Sequence, residues 1–261
     1  MKRLVIVFTA LFLLCAFTVY VNAAPVTCPA SVKEMKGNDY IDKDSNIAFL
    51  VSLESDFITE KDLDESDGQV EGTMHVGKLV VSFDKVDFYA LLGGTGNLEY
   101  SASISGANVL YELEDKFLWG LGASGLIKKW DKHGIQLFGD LSYRTTGDME
   151  YDIVTLNGTQ FSKSQLTPAT DAKYEEWQIA LSVAKKFQYM TPYAGIKYSN
   201  LDASADVTIS STRYALSDAE NDNPVGIFLG CALMPLDNMS IDLEGRFIDE
   251  EAFSVSLNYE F

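Results

Sequence analysis

The chain has 261 residues, a formal net charge of -18, 47% hydrophobic residues and 22% charged residues. That length fits one large β domain or two small ones, and the composition is neither disordered nor collagenous. The acidic balance excludes nucleic acid as a partner, because phosphate binding needs clustered Lys and Arg.

Lys2 and Arg3 open the chain, an apolar run follows from Leu4 to about Val21, and Val21-Asn22-Ala23 supplies a small-residue cleavage site. Residues 1–23 therefore read as a signal peptide for export, cut after Ala23. Residues 24–45 are mixed and partly charged, with Pro25 and Pro29. They read as a short periplasmic segment: a disordered tail in preference to a small plug with a helical turn around Val32 to Met35. Beyond the signal no apolar run reaches the roughly 20 residues of a transmembrane helix.

From residue 46 the pattern alternates. Ten strands are predicted: Ile47–Thr59, Val70–Phe83, Val86–Leu98, Phe117–Trp130, Ile135–Thr146, Tyr174–Phe187, Pro192–Ala203, Pro224–Leu236, Ser240–Ile248 and Ala252–Phe261. In the last of them Phe253, Val255, Leu257, Tyr259 and Phe261 hold every odd position, and Ser254, Ser256, Asn258 and Glu260 every even one. A strand with this period has one greasy and one wet face.

Short polar turns (Asp84-Lys85, Asp131 to Gly134, Gln188 to Met190, Asp237-Asn238) alternate with long polar stretches (60–69, 96–116, 147–172, 205–223). Membrane barrels have short periplasmic turns and long external loops. The strands are also longer than the five or six residues usual in globular sheets. Aromatic residues collect near strand ends. Phe83, Trp130, Phe187, Tyr189, Tyr259 and Phe261 lie near the short-turn end, and Phe57, Tyr100, Phe117, Trp119, Tyr143, Tyr174 and Trp177 near the other. They read as two interfacial girdles. The fold expected over residues 46–261 is an all-β, antiparallel, up-and-down transmembrane β-barrel of about ten strands, eight and twelve being the neighbouring even counts.

The strand–turn–strand–loop rhythm and the closing strand Phe253 to Phe261 resemble the outer-membrane β-barrel superfamily of OmpA-like, OmpX-like and opacity-type proteins. The resemblance implies the bacterial outer membrane as location, with its lipid and lipopolysaccharide as partners. It also implies that Phe253, Val255, Leu257, Tyr259 and Phe261 form the signal read by the β-barrel assembly machinery.

On the wet faces, Asp140, Arg144, Glu176, Lys186, Lys197, Asp242, Glu244 and Arg246 are expected to line the interior as a charge network. About eight strands already give an interior filled by side chains, so bracing is favoured over an ion-selecting pore. His75, near the long-loop end of the second strand, is the candidate general base, with Glu54 and Asp56 within reach on the preceding strand. No catalytic motif surrounds it, so a non-catalytic role is preferred. The loop holding Glu60, Asp62, Asp64, Glu65, Asp67 and Glu71 partly matches a calcium loop. However, Asp67 stands where Gly is required and Thr73 where the final Glu belongs, so only loose divalent-cation binding is expected. Cys231 reads as a free, lipid-facing thiol. No cofactor is expected. The sequence reading is thus a non-enzymatic barrel with acidic external loops and a structural or surface-interaction role. A narrow channel is its alternative, and a barrel protease or lipid-modifying enzyme comes third.

Overall fold

The computed structural model describes residues 25–26, 47–64, 67–83, 85–167, 170–236 and 238–261. The expected signal peptide and all of 24–45 except Pro25 and Val26 lie outside the described residues. Thirteen strands form one antiparallel sheet: β1 (Ile47–Leu63), β2 (Gly68–Phe83), β3 (Val86–Ile104), β4 (Ala107–Leu113), β5 (Phe117–Trp130), β6 (Ile135–Leu156), β7 (Thr159–Ser162), β8 (Thr170–Lys185), β9 (Met190–Ile209), β10 (Thr212–Glu220), β11 (Val225–Leu236), β12 (Met239–Phe247) and β13 (Glu251–Glu260).

Ten of them close a ring in the order β1-β2-β3-β5-β6-β8-β9-β11-β12-β13, with β13 returning to pair antiparallel with β1. These are the ten strands that the alternation predicts. Closure leaves the ten-strand ring without a free edge, so each of its strands pairs on both sides within the wall, as hydrocarbon requires.

The orientation of the faces follows from the period of two. On β1, Ser52, Glu54 and Asp56 are buried inside the ring, while Phe49, Leu53 and Phe57 are exposed outside it. The same holds for Lys78 and Ser82 against Leu79 and Phe83, and for Gln178 and Ser182 against Trp177, Ile179, Leu181 and Val183. A greasy belt therefore encircles the barrel. In water it would be an apolar patch far beyond what soluble monomers expose; in a bilayer it faces hydrocarbon.

Three strands, β4, β7 and β10, fall in segments predicted as loops. They are the distal parts of long hairpins at the long-loop end, where β3, β6 and β9 run past the belt. There the polarity of the two faces exchanges. On β9, outward Ile196 and Tyr198 give way to Asn200, Asp202 and Ser204, and inward Lys197 and Ser199 to Leu201, Ala203, Ala205 and Val207. Bulges at Ile58/Lys61 on β1, Glu71/Thr73 between β2 and β3, and Thr145/Gly147 on β6 mark the change. Two of the aromatic residues assigned to the outer girdle, Tyr100 and Tyr174, are completely buried on the inner face. They correct that part of the prediction: the irregularity at Glu71/Thr73 switches the inward parity of β3 before Tyr100, while Tyr174 keeps the inward parity of Glu176 and Gln178 on β8.

Above the belt the wall also narrows. There β5, β11, β12 and β13 have ended, while β4 sits between β3 and β6, and β10 closes against β1. The β10–β1 contact uses the Leu63–Asn221 bridge and the bonds Asp64 N to Glu220 O and Asp222 N to Asp62 O. Eight strands (β1, β2, β3, β4, β6, β8, β9, β10) continue beyond the bilayer.

Candidate functional site

The inner wall of the ring carries a continuous ion-pair network. Asp56 on β1 binds two guanidinium groups, Arg144 on β6 at 3.1 Å and Arg246 on β12. Arg144 also reaches Glu176 on β8 at 2.7 Å and donates to the Tyr174 hydroxyl at 3.0 Å. Lys61 joins Glu176 at 2.7 Å and Glu250 at 3.0 Å. Lys197 on β9 meets Asp249 at 2.8 Å, and also Glu250, while the Ser199 hydroxyl donates to Asp249 at 3.0 Å. A second group lies nearer the short-turn end. Lys78 pairs with Glu54 at 2.9 Å and lies over the Tyr89 ring, whose hydroxyl donates to Asp140 at 3.0 Å. Glu54, Ser256 and Asp242 share one cross-strand row, and Asn258 donates to Asp242 at 2.7 Å.

The turn between β12 and β13 supplies Asp249 and Glu250. Ile248 adopts φ 86°, a left-handed conformation that a β-branched residue rarely takes and that costs about 1–3 kcal/mol. Its side chain stays outside, and the two carboxylates after it turn into the lumen. Gly226 makes the room: a Cβ there would lie 1.9 Å from Asp249 Oδ1.

Over this network sits an apolar cap. Within the eight-strand section Leu98, Tyr100, Tyr111, Met149, Tyr151, Tyr174, Leu201, Val207 and Leu216 form one buried cluster. Buried tyrosines there bind backbone: Tyr100 Oη donates to Lys173 O at 2.8 Å and Tyr111 Oη to Tyr214 O at 3.3 Å. The Tyr151 hydroxyl accepts from the Asp206 amide at 2.7 Å. An eight-strand interior is just wide enough for side chains to fill, and here they fill it.

No protein-family model matches the chain. It is 22% identical to a major outer membrane porin of Chlamydia pneumoniae, over 76% of this chain and 65% of that protein. It is 21% identical to the major outer membrane porin, serovar A, of Chlamydia trachomatis, over 64% of this chain and 57% of that one. The chain thus spans about 65% or less of the length of these relatives. Among solved structures it is similar to the outer membrane protease OmpT of Escherichia coli, at 11% identity and a TM-score of 0.41, covering 82% of this chain and 95% of that one. The closed ring, lipid-facing outside and polar inside, decides the matter together with the porin relatives. The chain is a bacterial outer-membrane β-barrel.

In this outer-membrane barrel, Arg144, Glu176, Lys197 and Arg246 meet in the central network. Asp140 and Asp242 stand in the lower group. Glu244 lies 3.9 Å from Arg246 Nη1 and accepts from the backbone amide of Val26 at 2.9 Å. Lys186 lies half-buried just past the end of β8, where its amide donates to Gly134 O at 3.0 Å. Sequence reasoning left out Lys61, Asp249 and Glu250, and did not put Asp56 in the network. The β1 bulge moves Lys61 to the inner face against the parity of the strand, and the two acids occupy what reads as a solvated turn.

His75 is exposed on the outer face, 3.0 Å from the Ser55 hydroxyl and edge-on to Phe57. Glu54 and Asp56 point to the opposite side of the wall, so the carboxylates proposed for it are out of reach. In the acidic loop, Glu60 and Asp62 both accept from Gln69, and no group of acids suited to a metal ion occurs among the described residues. Cys231 is a free, half-buried thiol on β11.

Pro25 and Val26 lie inside the barrel. Pro25 O accepts from Gln178 at 3.4 Å, and the Val26 side chain is buried in a cluster with Phe138, Ala180, Ala184, Tyr193, Phe228 and Ala232. At these two residues the chain lies where the small-plug alternative, rather than the tail, puts it.

Proposed function

We propose that this outer-membrane barrel is a non-enzymatic structural protein whose long-loop end presents an acidic surface to the exterior. The observation that carries this reading is the sequence of layers along the axis. A ten-strand lumen is crossed by paired charges, and above it an eight-strand section is filled by tyrosine and aliphatic side chains. Such a barrel braces the membrane wall rather than opening it. Lipid and lipopolysaccharide cover the belt, and assembly proceeds through the β-barrel assembly machinery. The acidic outer face holds divalent cations only loosely.

Reconstitution in planar bilayers tests the reading. A braced, capped barrel is silent at moderate voltage. A reproducible open level would overturn it in favour of a narrow porin, the second reading, which the names of the chlamydial relatives favour.

A further inference from the structure

We propose that the lower lumen is a receptor for the chain's own mature N-terminal segment, which binds there as an internal plug. Three independent observations converge on this. The first is direct occupancy: Val26 N donates to Glu244 Oε1 at 2.9 Å, and the Val26 side chain is 4% exposed in its aromatic and alanine recess. The second is the form of the recess. At Gly230 an added Cβ would lie 2.3 Å from the Tyr193 ring, and at Gly195 it would lie 2.4 Å from the Phe228 ring. Two glycines thus let the rings that bound the recess lie flat against the wall.

The third is charge. Buried side chains number eight carboxylates and five cations among the described residues. The oxygens Asp140 Oδ1, Asp242 Oδ1 and Glu244 Oε2 are buried without a hydrogen-bond partner among them. Buried carboxylates call for compensating positive charge. Cleavage after Ala23 would leave a free α-ammonium one residue before Pro25, within a single Cα–Cα step of about 3.8 Å. The segment therefore brings an apolar side chain to the apolar recess, a donor to Glu244 and a cation to an acidic lumen. Signal removal creates that cation, so export processing and completion of the lumen are coupled.

The test uses the full mature chain folded in phosphatidylcholine vesicles. Val26→Cys, with Cys28→Ser and Cys231→Ser, is exposed to a polymer-linked maleimide too large for the lumen. Labelling is expected to be at least tenfold slower than in the urea-unfolded chain. Adding Glu244→Gln should speed it about fivefold, the scale of a charge-assisted bond made neutral. Equal rates in folded and unfolded chains, measured on the band that still shifts mobility on heating, overturn the proposal. The unsubstituted protein gives a second readout that needs no variant. Its α-amine, identified by N-terminal sequencing, should resist an amine-reactive ester until the barrel unfolds. Prompt modification of the folded barrel rejects the plug.

Discussion

Replacing Arg246 with Met tests whether the lumen charges act as a brace. Arg246 is fully buried and binds Asp56, and Met fills a similar volume without the charge. Removing one member of a buried pair costs about 3–5 kcal/mol, chiefly because the other charge is stranded. Here Asp56 keeps Arg144 at 3.1 Å, so the lower end, about 3 kcal/mol, is expected. At about 2–4 °C per kcal/mol for a domain of this size, the unfolding midpoint should fall by roughly 6–12 °C. Pairing the change with Asp56→Asn removes the stranded charge, and the double variant should lose less than the two single losses combined, by about 1–2 kcal/mol. Urea unfolding in lipid vesicles, followed by the fluorescence of Trp119, Trp130 and Trp177, measures all three variants. If both single variants stay within about 0.5 kcal/mol of the parent, or if the losses simply add, the network is ornamental and the reasoning fails.

Other consequences concern the wall and the cap. Tyr151→Ala should remove about 3–5 kcal/mol from the cap. It also orphans the Asp206 amide, so limited proteolysis should cut β6–β7 and β9–β10 while the belt stays protected. Glu71, Glu99 and Glu112 stand directly opposite one another across β2, β3 and β4. Partial burial, then the charges of Glu112 and Glu71, push the Glu99 carboxyl above its usual range. A carboxyl raised in this way opposes folding while ionised, and the opposition ends as pH falls through its raised value. Glu99→Gln should therefore stabilise the barrel by about 0.2–1 kcal/mol at pH 7, and the gain should vanish in acid. Deleting Phe261, whose amide donates to Phe49 O at 3.1 Å and whose ring meets Tyr259 edge-on, should lower the yield of assembled barrel in the outer membrane. Normal yield would reject its part in assembly.

The ring was legible because hydrocarbon and lumen impose opposite polarities on alternate residues. Ile179, Leu181 and Val183 against Gln178, Ala180 and Ser182 announce both the strand and its faces. The distal hairpins were not legible for the same reason reversed. Once β9 leaves the bilayer, Asn200, Asp202 and Ser204 face water and Leu201, Ala203 and Ala205 face in. The segment then averages to a polar stretch and resembles a loop. The site divides along similar lines. Arg144, Glu176, Lys197 and Arg246 obey strand parity and could be read directly. Lys61 is displaced by a bulge, and Asp249 and Glu250 depend on the φ of one isoleucine, which no spacing rule encodes. A plug was only the lesser reading of residues 24–45, and nothing in the sequence singled out Val26, since a recess built from β6, β8, β9 and β11 exists only after closure.

The tips of the long hairpins are two-residue turns: Ser105-Gly106, Asn157-Gly158 and Ser210-Ser211, all at positive φ. Such turns set the register of their own strands and leave the membrane wall untouched. The barrel is thereby a pedestal with interchangeable finials. Foreign sequence grafted at those six residues would be displayed at the long-loop end, while the closing strand that pairs β13 with β1 stays unaltered.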